Sequence, residues 1–309
     1  MSKLWFPALL ASASFLAAQP STSQAIYFPK PVKPAPYVAP MKPVVRLAEL
    51  KARHKGHANW TETVVADYYN RTDVISAAPG AKVPLHLHAD SPEYWFIEEG
   101  AIRFEIDDPP GNPQNFDAPK GSLVFAPERM LHSLEVLGDQ PAIRVQVTLR
   151  EATPIYPTKP NDAPAGTQMM PATVWVNPDP SDVPSHGPDR LLFNLTEMLK
   201  GNPKRSWSNL AIEKNRAHAN IICGYAADLK PTPDDRGHFH DFPETWVIMT
   251  GEQHFAIEGE APFVAQVGDI AYAPSTRWHL PEPYGETQSC RLAMTPFPNG
   301  NHLYDLPAK

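Results

Sequence analysis

The chain repeats itself, and that repeat limits its fold more than any other feature. Glu93-Tyr-Trp-Phe-Ile in the first half is matched by Glu244-Thr-Trp-Val-Ile in the second, with Trp95 over Trp246. Phe104 and Ile106 fall over Phe255 and Ile257, Gly121 and Pro127 over Gly268 and Pro274, Arg144 and Thr148 over Arg291 and Thr295. The landmarks keep their order and drift little in spacing. A repeat of this length means two copies of one folding unit. The 309 residues are enough to give each copy its own core.

Within each copy the pattern is short apolar runs broken by Gly, Pro and Asp. DVISAA, EYWFIEEG, AIRFEI, GSLVFAP and AIRVQVTL occupy the first. HANIICGYAADL, ETWVIMTG, EQHFAIEG, GDIAYAP and CRLAMTP occupy the second. Short strands with frequent turn signals predict an all-β barrel or sandwich. The 37 prolines belong mostly in loops and linkers, because proline spoils helix interiors and central strands.

These signals divide the chain. Residues 1–25 read as an export signal. Lys3 supplies the positive start, Leu4 to Ala18 is apolar but too short to span a bilayer, and Ser23-Gln24-Ala25 offers a small-x-small cleavage pattern. Ala18 is the alternative cleavage point. Residues 26–43 form a Pro-rich, extended N-terminal arm. Residues 44–150 are the first domain, with a short helix at 46–54. Residues 151–187 are a Pro-rich linker with one edge strand at 172–176. Residues 188–309 are the second domain, opened by an acidic-capped helix over 189–200.

In KVPLHLHAD, His86 and His88 are two residues apart, so in a strand they point to one face. Glu93 follows past a Ser-Pro turn at the start of the next strand, and His132 comes from a later one. The second copy offers His238, His240, Glu244 and His279 in the same order. Three imidazoles and a carboxylate held by strands can converge on one ion. This donor set suits Mn, Fe, Co, Ni, Cu or Zn and is too rich in nitrogen for Ca or Mg. The expectation is one divalent transition metal per domain, with open positions for water, dioxygen or substrate.

The arrangement resembles the cupin superfamily. Gly80, His86, His88, Glu93 and Gly100 are similar to its first motif, and Gly121, Pro127 and His132 to its second. Gly251, Gly268 and Pro274 complete the same pattern around the second ligand set. Arg129 and Thr276 stand where the family has a glycine, and Thr232 replaces the opening glycine of the second copy. The resemblance implies two double-stranded β-helix (jelly-roll) barrels in tandem, a bicupin, with a few short peripheral helices. It is similar to quercetinase-type dioxygenases and to oxalate decarboxylases. The function expected is therefore an exported metal-dependent dioxygenase acting on a small enolic or aromatic substrate. The alternative is a manganese-dependent decarboxylase of a small carboxylic acid. Oxalate decarboxylases carry an arginine three residues before the first histidine, where this chain has Val83 and Asp235. A third reading is a non-catalytic cupin that binds metal or a small ligand.

Strand parity sorts the neighbours. With Glu93 facing inward, Trp95, Ile97, Phe104 and Ile106 face inward too, and Trp246, Ile248, Phe255 and Ile257 follow in the second copy. They are core or the wall of an apolar pocket. Arg103, Glu105 and His254 face outward. Arg144 and Arg291 are candidates to receive an anionic substrate. Glu135 and Glu282, three residues after a ligand histidine, are candidates for acid–base work, although parity turns them away from the metal. His54, His57, His186, His218 and His302 read as surface residues. The surroundings of the two sites differ at Arg129 against Thr276 and Arg103 against His254.

The net charge of −7 argues against nucleic acid as a partner. No segment after the signal is apolar enough to span a membrane. The expected partner is a small-molecule substrate, the expected compartment periplasmic or extracellular, and a homo-oligomer is allowed. Cys223 and Cys290 either pair or stay as two buried thiols.

Overall fold

The computed structural model describes residues 26–27, 29–31, 33–107, 112–156, 163–166, 187–202, 204–214, 216–229, 237–297 and 302–304. The signal expected over 1–25, the edge strand expected at 172–176, Thr232, Asp235 and His186 lie outside them.

Two short strands, β1 (Ile26–Tyr27) and β2 (Val44–Val45), and helix α1 (Leu47–Arg53) precede the first barrel. That barrel contains β3 (Trp60–Ala66), β4 (Asn70–Ala77), β5 (Lys82–His88), β6 (Glu93–Glu99), β7 (Ala101–Asp107), β8 (Pro113–Pro119), β9 (Ser122–Ala126), β10 (His132–Leu137), β11 (Ala142–Leu149) and β12 (Pro154–Ile155). Strand β13 (Leu192–Asn194) and helix α2 (Leu195–Gly201) lead into the second. It contains β14 (Trp207–Lys214), β15 (Ala217–Gly224), β16 (Glu244–Thr250), β17 (Glu252–Ile257), β18 (Phe263–Gln266), β19 (Ile270–Ala273), β20 (His279–Tyr284), β21 (Ser289–Thr295) and β22 (Leu303–Tyr304).

Each barrel is two facing sheets. In the first the orders are β12-β5-β10-β7-β8 and β13-β9-β6-β11-β4-β3; in the second they are β18-β17-β20 and β14-β15-β21-β16-β19-β2. Strand alternation fills each interior with one set of side chains. Trp95, Ile97, Ile102, Phe104 and Ile106 pack inside the first barrel, and Trp246, Ile248, Phe255 and Ile257 inside the second.

The opposite faces of the six-stranded sheets are apolar as well. Tyr94, Phe96, Val145 and Val147 of the first barrel share one buried cluster with Val247, Met249, Leu292 and Met294 of the second. A strand buried on both faces reads as an unbroken apolar run, which is why EYWFIEE and ETWVIMT show almost no alternation.

The boundaries expected at residues 44 and 188 do not coincide with the sheets. Strand β2 pairs with β19 of the second barrel, Ile270 opposite Val45. Strand β13 pairs with β9 of the first, Leu192 opposite Val124. The helix expected over 189–200 is accordingly shorter. Residues 192–194 are drawn into the sheet edge, and the helix starts at Leu195 with the Asn194 side chain accepting from Glu197 N at 3.1 Å. The acidic cap expected there is absent, because Asp189 instead accepts from Glu213 N at 2.7 Å. The helix expected at 46–54 is α1. Cys223 and Cys290 lie directly opposite one another on β15 and β21 and form a disulfide.

Candidate metal centres

Strand geometry assembles both ligand sets. His86 and His88 stand two apart on β5, Glu93 opens β6, and His132 opens β10 directly opposite His86. In the second barrel His238 bridges to His279, while Glu244 opens β16. Gly237 makes that bridge possible: a Cβ at this left-handed position, φ +63°, would lie 2.5 Å from the His279 carbonyl oxygen. In each set the ligating atoms lie within 4.8 Å of one another, so each group could hold a metal ion.

The carboxylates sit at the centres. Glu93 Oε2 lies 3.0 Å from Nε2 of His88 and of His132 and 3.7 Å from Nε2 of His86. Glu244 Oε2 lies 3.0 Å from His240 Nε2 and 3.1 Å from His279 Nε2. The far ring nitrogens explain this aim. His86 Nδ1 donates to the Pro84 carbonyl at 2.7 Å, His132 Nδ1 to Met130 at 2.9 Å and His279 Nδ1 to Arg277 at 2.9 Å. A carbonyl only accepts, so Nδ1 carries the proton and a neutral ring turns its Nε2 lone pair toward the carboxylate. Lone pairs and an anion converging in a buried place form a cavity for a cation, and the mixed nitrogen–oxygen set fits a transition metal.

Burial opposes ionisation of Glu93. The surrounding imidazoles of His132, His86 and His88 overcome that and hold its carboxyl well below the usual range. Glu244 is held low in the same way by His240 and His279. Burial, then the neighbouring His279 and His302, push His238 down to about 2. His238 is therefore held neutral, as metal ligation requires, and burial lowers His132 as well, whereas Glu93 raises His88 against its burial.

Residues 74–147 match the family model of the cupin domain. No curated protein sequence matches the chain. Among solved structures, the chain is similar to a cupin 2 conserved barrel domain protein from Leptotrichia buccalis. That likeness has 12% identity, a TM-score of 0.55, and coverage of 82% of this chain and 95% of the other. It is also similar to the Lactobacillus farciminis oxalate decarboxylase formate complex (16% identity, TM-score 0.54, 88% and 90% covered). A Bacillus subtilis oxalate decarboxylase structure concerned with Mn(II) centres has 16% identity and a TM-score of 0.51, with 81% and 75% covered. Likeness at these identities shows the fold. Residues 74–147 carry a cupin domain, and the chain has the fold of two such barrels in tandem.

The turns at Arg129 and Thr276 keep the left-handed backbone a glycine would give, φ 67° and 65°. Their amides donate to the carbonyls of His88 at 2.7 Å and His240 at 2.6 Å. Both turns thus tie the second motif to a ligand strand, despite the bulkier residues.

A cavity of about 250 Å³ opens onto the first site. Its wall is more polar than the sequence suggests. Ile97, Phe104 and Ile106 are packed core, and of the expected aromatic set Trp95 alone reaches the cavity. Arg71, Asp73, Arg144, Gln146, Thr148 and Tyr156 supply this polar part, beside Ile75, Val83, Leu134, Ala152 and Pro154. Of the four catalytic candidates, the arginines face the sites and the glutamates do not. Burial lowers Arg144 and Arg291 to about 10 against the opposing fields of Glu93 and Glu244. Glu135 is paired with Lys82 at 3.4 Å, and Glu282 lies 3.7 Å from His254.

The sequence reading missed several neighbours. Strand register sets Arg71 opposite Thr148 and His218 opposite Thr295, so these two occupy equivalent places. Parity on β15, once paired with β21, would have found His218. His302, read as surface, stacks on His238 with ring centroids 3.9 Å apart. It belongs to a closing segment. Strands β12 and β22 each lie across the H-x-H strand, Ile155 opposite Leu87 and Leu303 opposite Phe239. Arg103 and His254 do not distinguish the two sites, because Arg103 is exposed on Asp117 at 2.8 Å and His254 faces Glu282.

Proposed function

We propose that this chain is a metalloenzyme holding one divalent transition-metal ion in each barrel, and that it is a carboxy-lyase of a small carboxylic acid. The observation carrying this reading is the juxtaposition in the first barrel of a four-ligand set with a buried guanidinium. Arg144 is 4% exposed and its Nη1 has no hydrogen-bond partner among the described residues. A bound ion would supply a Lewis acid with positions left for substrate oxygens. The protein supplies the rest. Arg144 holds the anion and Gln146 fixes that arginine. The likeness to oxalate decarboxylases supports the same reading. The residue at the arginine position of those enzymes is Val83, so this chain would use a guanidinium from another strand.

A dioxygenase acting on a small enolic or aromatic substrate is the second reading. The Trp95 ring, 5.4 Å from that of His132, and Tyr156, 5.8 Å from His86, favour it as flanks for a planar ring. Elemental analysis with gas exchange separates the two. Two metal equivalents per chain and carbon dioxide release without net dioxygen uptake are expected. Dioxygen consumed in proportion to turnover would replace the first reading with the second, and a chain that binds no metal would sink both.

We place the protein outside the cytoplasm. The export pattern of residues 1–25 and the Cys223–Cys290 disulfide support this, since such bridges persist in oxidising compartments. An intact mass beginning at Ile26 in the exported protein is expected; a full-length mass in the cytoplasm would refute it.

A further inference from the structure

The two copies of the repeat meet at the seam between the barrels, and there their residues diverge. Tyr69 and Arg216 hold one equivalent place, each two residues before the partners of Thr148 and Thr295, Arg71 and His218. Arg150 and Phe297 hold another, each two residues after Thr148 and Thr295. At both places one copy offers an aromatic ring and the other a guanidinium, and the barrel that offers the ring changes from one place to the next. All four residues line one cleft of about 430 Å³, with the buried Leu149 and Pro296 in its wall. None of the eight metal-ligand candidates lines it.

The rings form a connected set. Tyr68 meets Tyr69 edge to face at 5.1 Å, and Tyr69 meets Phe297 in the same way at 5.2 Å. Tyr68 is 83% exposed. A large ring left in water beside two others offers apolar area for a planar ligand to cover. The cations are open as well. Arg216 donates to the Asp90 carbonyl at 3.2 Å and has no carboxylate partner among the described residues. Arg150 donates to the Asp67 carbonyl at 3.1 Å, and its carboxylate partner is Glu151 at 3.3 Å, a side chain 89% exposed. A pair so open to water contributes little, and an incoming carboxylate can take its place. The Asp67 carboxylate is already engaged, accepting from the amides of Tyr69 and Asn70 and from the Tyr272 hydroxyl.

Rings and cations together define a ligand. A neutral ring would leave the guanidiniums unused, and a small inorganic anion would leave the rings bare. We propose that this cleft is a further binding site, separate from the metal centres, for a planar aromatic carboxylate. The ligand ring lies against Tyr68 and Phe297, and its carboxylate is received by Arg216 with Arg150 as the second donor. The cleft is of the size that small organic ligands occupy.

Titration calorimetry of the full chain with naphthoate tests this. Decahydronaphthoate, of the same size and charge, controls for the aromatic ring, and naphthol controls for the carboxylate. One naphthoate per chain is expected, with affinity unchanged by excess oxalate, and both controls should bind about tenfold or more weakly. Tyr68→Ala and Arg216→Gln, at exposed positions, should each weaken naphthoate to a similar extent. Arg216→Lys keeps the charge, should lose less, and serves if the Gln variant unfolds. Glu151→Gln should tighten binding a few-fold, because it frees Arg150. That gain separates a binding role for Arg150 from a merely structural one. The proposal is overturned by absence of naphthoate binding, by wild-type affinity in Tyr68→Ala or Arg216→Gln, or by weaker binding in Glu151→Gln. Displacement of naphthoate by oxalate would overturn it too, since the ligand would then sit on a metal centre.

Discussion

Glu98 shows how much a single buried side chain can set. It lies on β6 with Tyr94 and Phe96, on the face turned toward the second barrel, and is 2% exposed. Its Oε1 has no hydrogen-bond partner among the described residues. Burial pushes its carboxyl up to about 8 from an ordinary 4.5, against the pull of Lys120. Between those two values the folded chain keeps a proton that the unfolded chain has released. Stability therefore falls as pH rises from about 4.5 to about 8 and is level beyond. Glu98→Gln should remove that slope. It should raise the melting temperature at pH 8 to 9, by up to ~5 kcal/mol in stability, and leave it nearly unchanged near pH 4. A variant whose melting curve keeps the wild-type pH slope would show that Glu98 is not its source.

At the scale of elements, each barrel is entered through a strand and helix that belong to its neighbour. Strand β2 and α1 dock on β19, and β13 and α2 dock on β9. The exchange is reciprocal down to single residues. Leu195 N donates to the Gly121 carbonyl, while Leu47 N donates to Asp269 beside Gly268. Asp269 also holds Arg46 at 2.7 Å. Gly268 is the tight point. Its φ is +83°, and a Cβ there would lie 2.3 Å from Leu47 Cδ2. Gly268→Ala combines backbone strain with overpacking and should cost about 3 kcal/mol or more, lowering the denaturation midpoint in urea. Gly121, whose Cβ would meet Leu195 only at 3.9 Å, should tolerate alanine better. Equal losses would remove the packing argument.

The limits of the sequence reading follow from the same elements. Ligand strands were legible because H-x-H and the repeat are local patterns, and parity then fixed Trp95, Phe104 and their counterparts. The docking strands were not. A two- or three-residue strand such as Val44–Val45 or Leu192–Asn194 has too short a period to register, and its partner lies more than sixty residues away. The packing between barrels left a mark, the unbroken apolar runs of β6 and β16, but continuous runs do not say what covers the second face. The tie between Gln253 and Arg291 was invisible for a related reason. The repeat sets Gln253 over Ile102, but only the folded barrel brings Gln253 on β17 to within 3.1 Å of Arg291 on β21.

The whole molecule should unfold as one body. The two barrels share a buried cluster that includes both outward sheet faces, and each completes the other's sheet. Polar contacts cross the same seam: Tyr272 Oη donates to Asp67 Oδ2 at 3.2 Å, and Phe297 packs edge-on to Tyr69 at 5.2 Å. Opening either barrel would expose the shared cluster and strip an edge strand from the other. The disulfide makes this measurable. It joins β15 to β21 in the second barrel alone and closes a chain separation of 67 residues. A loop of that size constrains the unfolded chain by about 4 kcal/mol in the entropy model. Paired Cys223→Ala and Cys290→Ala substitutions remove the constraint locally. If the barrels are coupled, scanning calorimetry should give one transition before and after, displaced downward as a whole, with calorimetric and van't Hoff enthalpies in agreement. If they are independent, the thermogram of the variant splits: the second barrel melts early and the first keeps its wild-type midpoint.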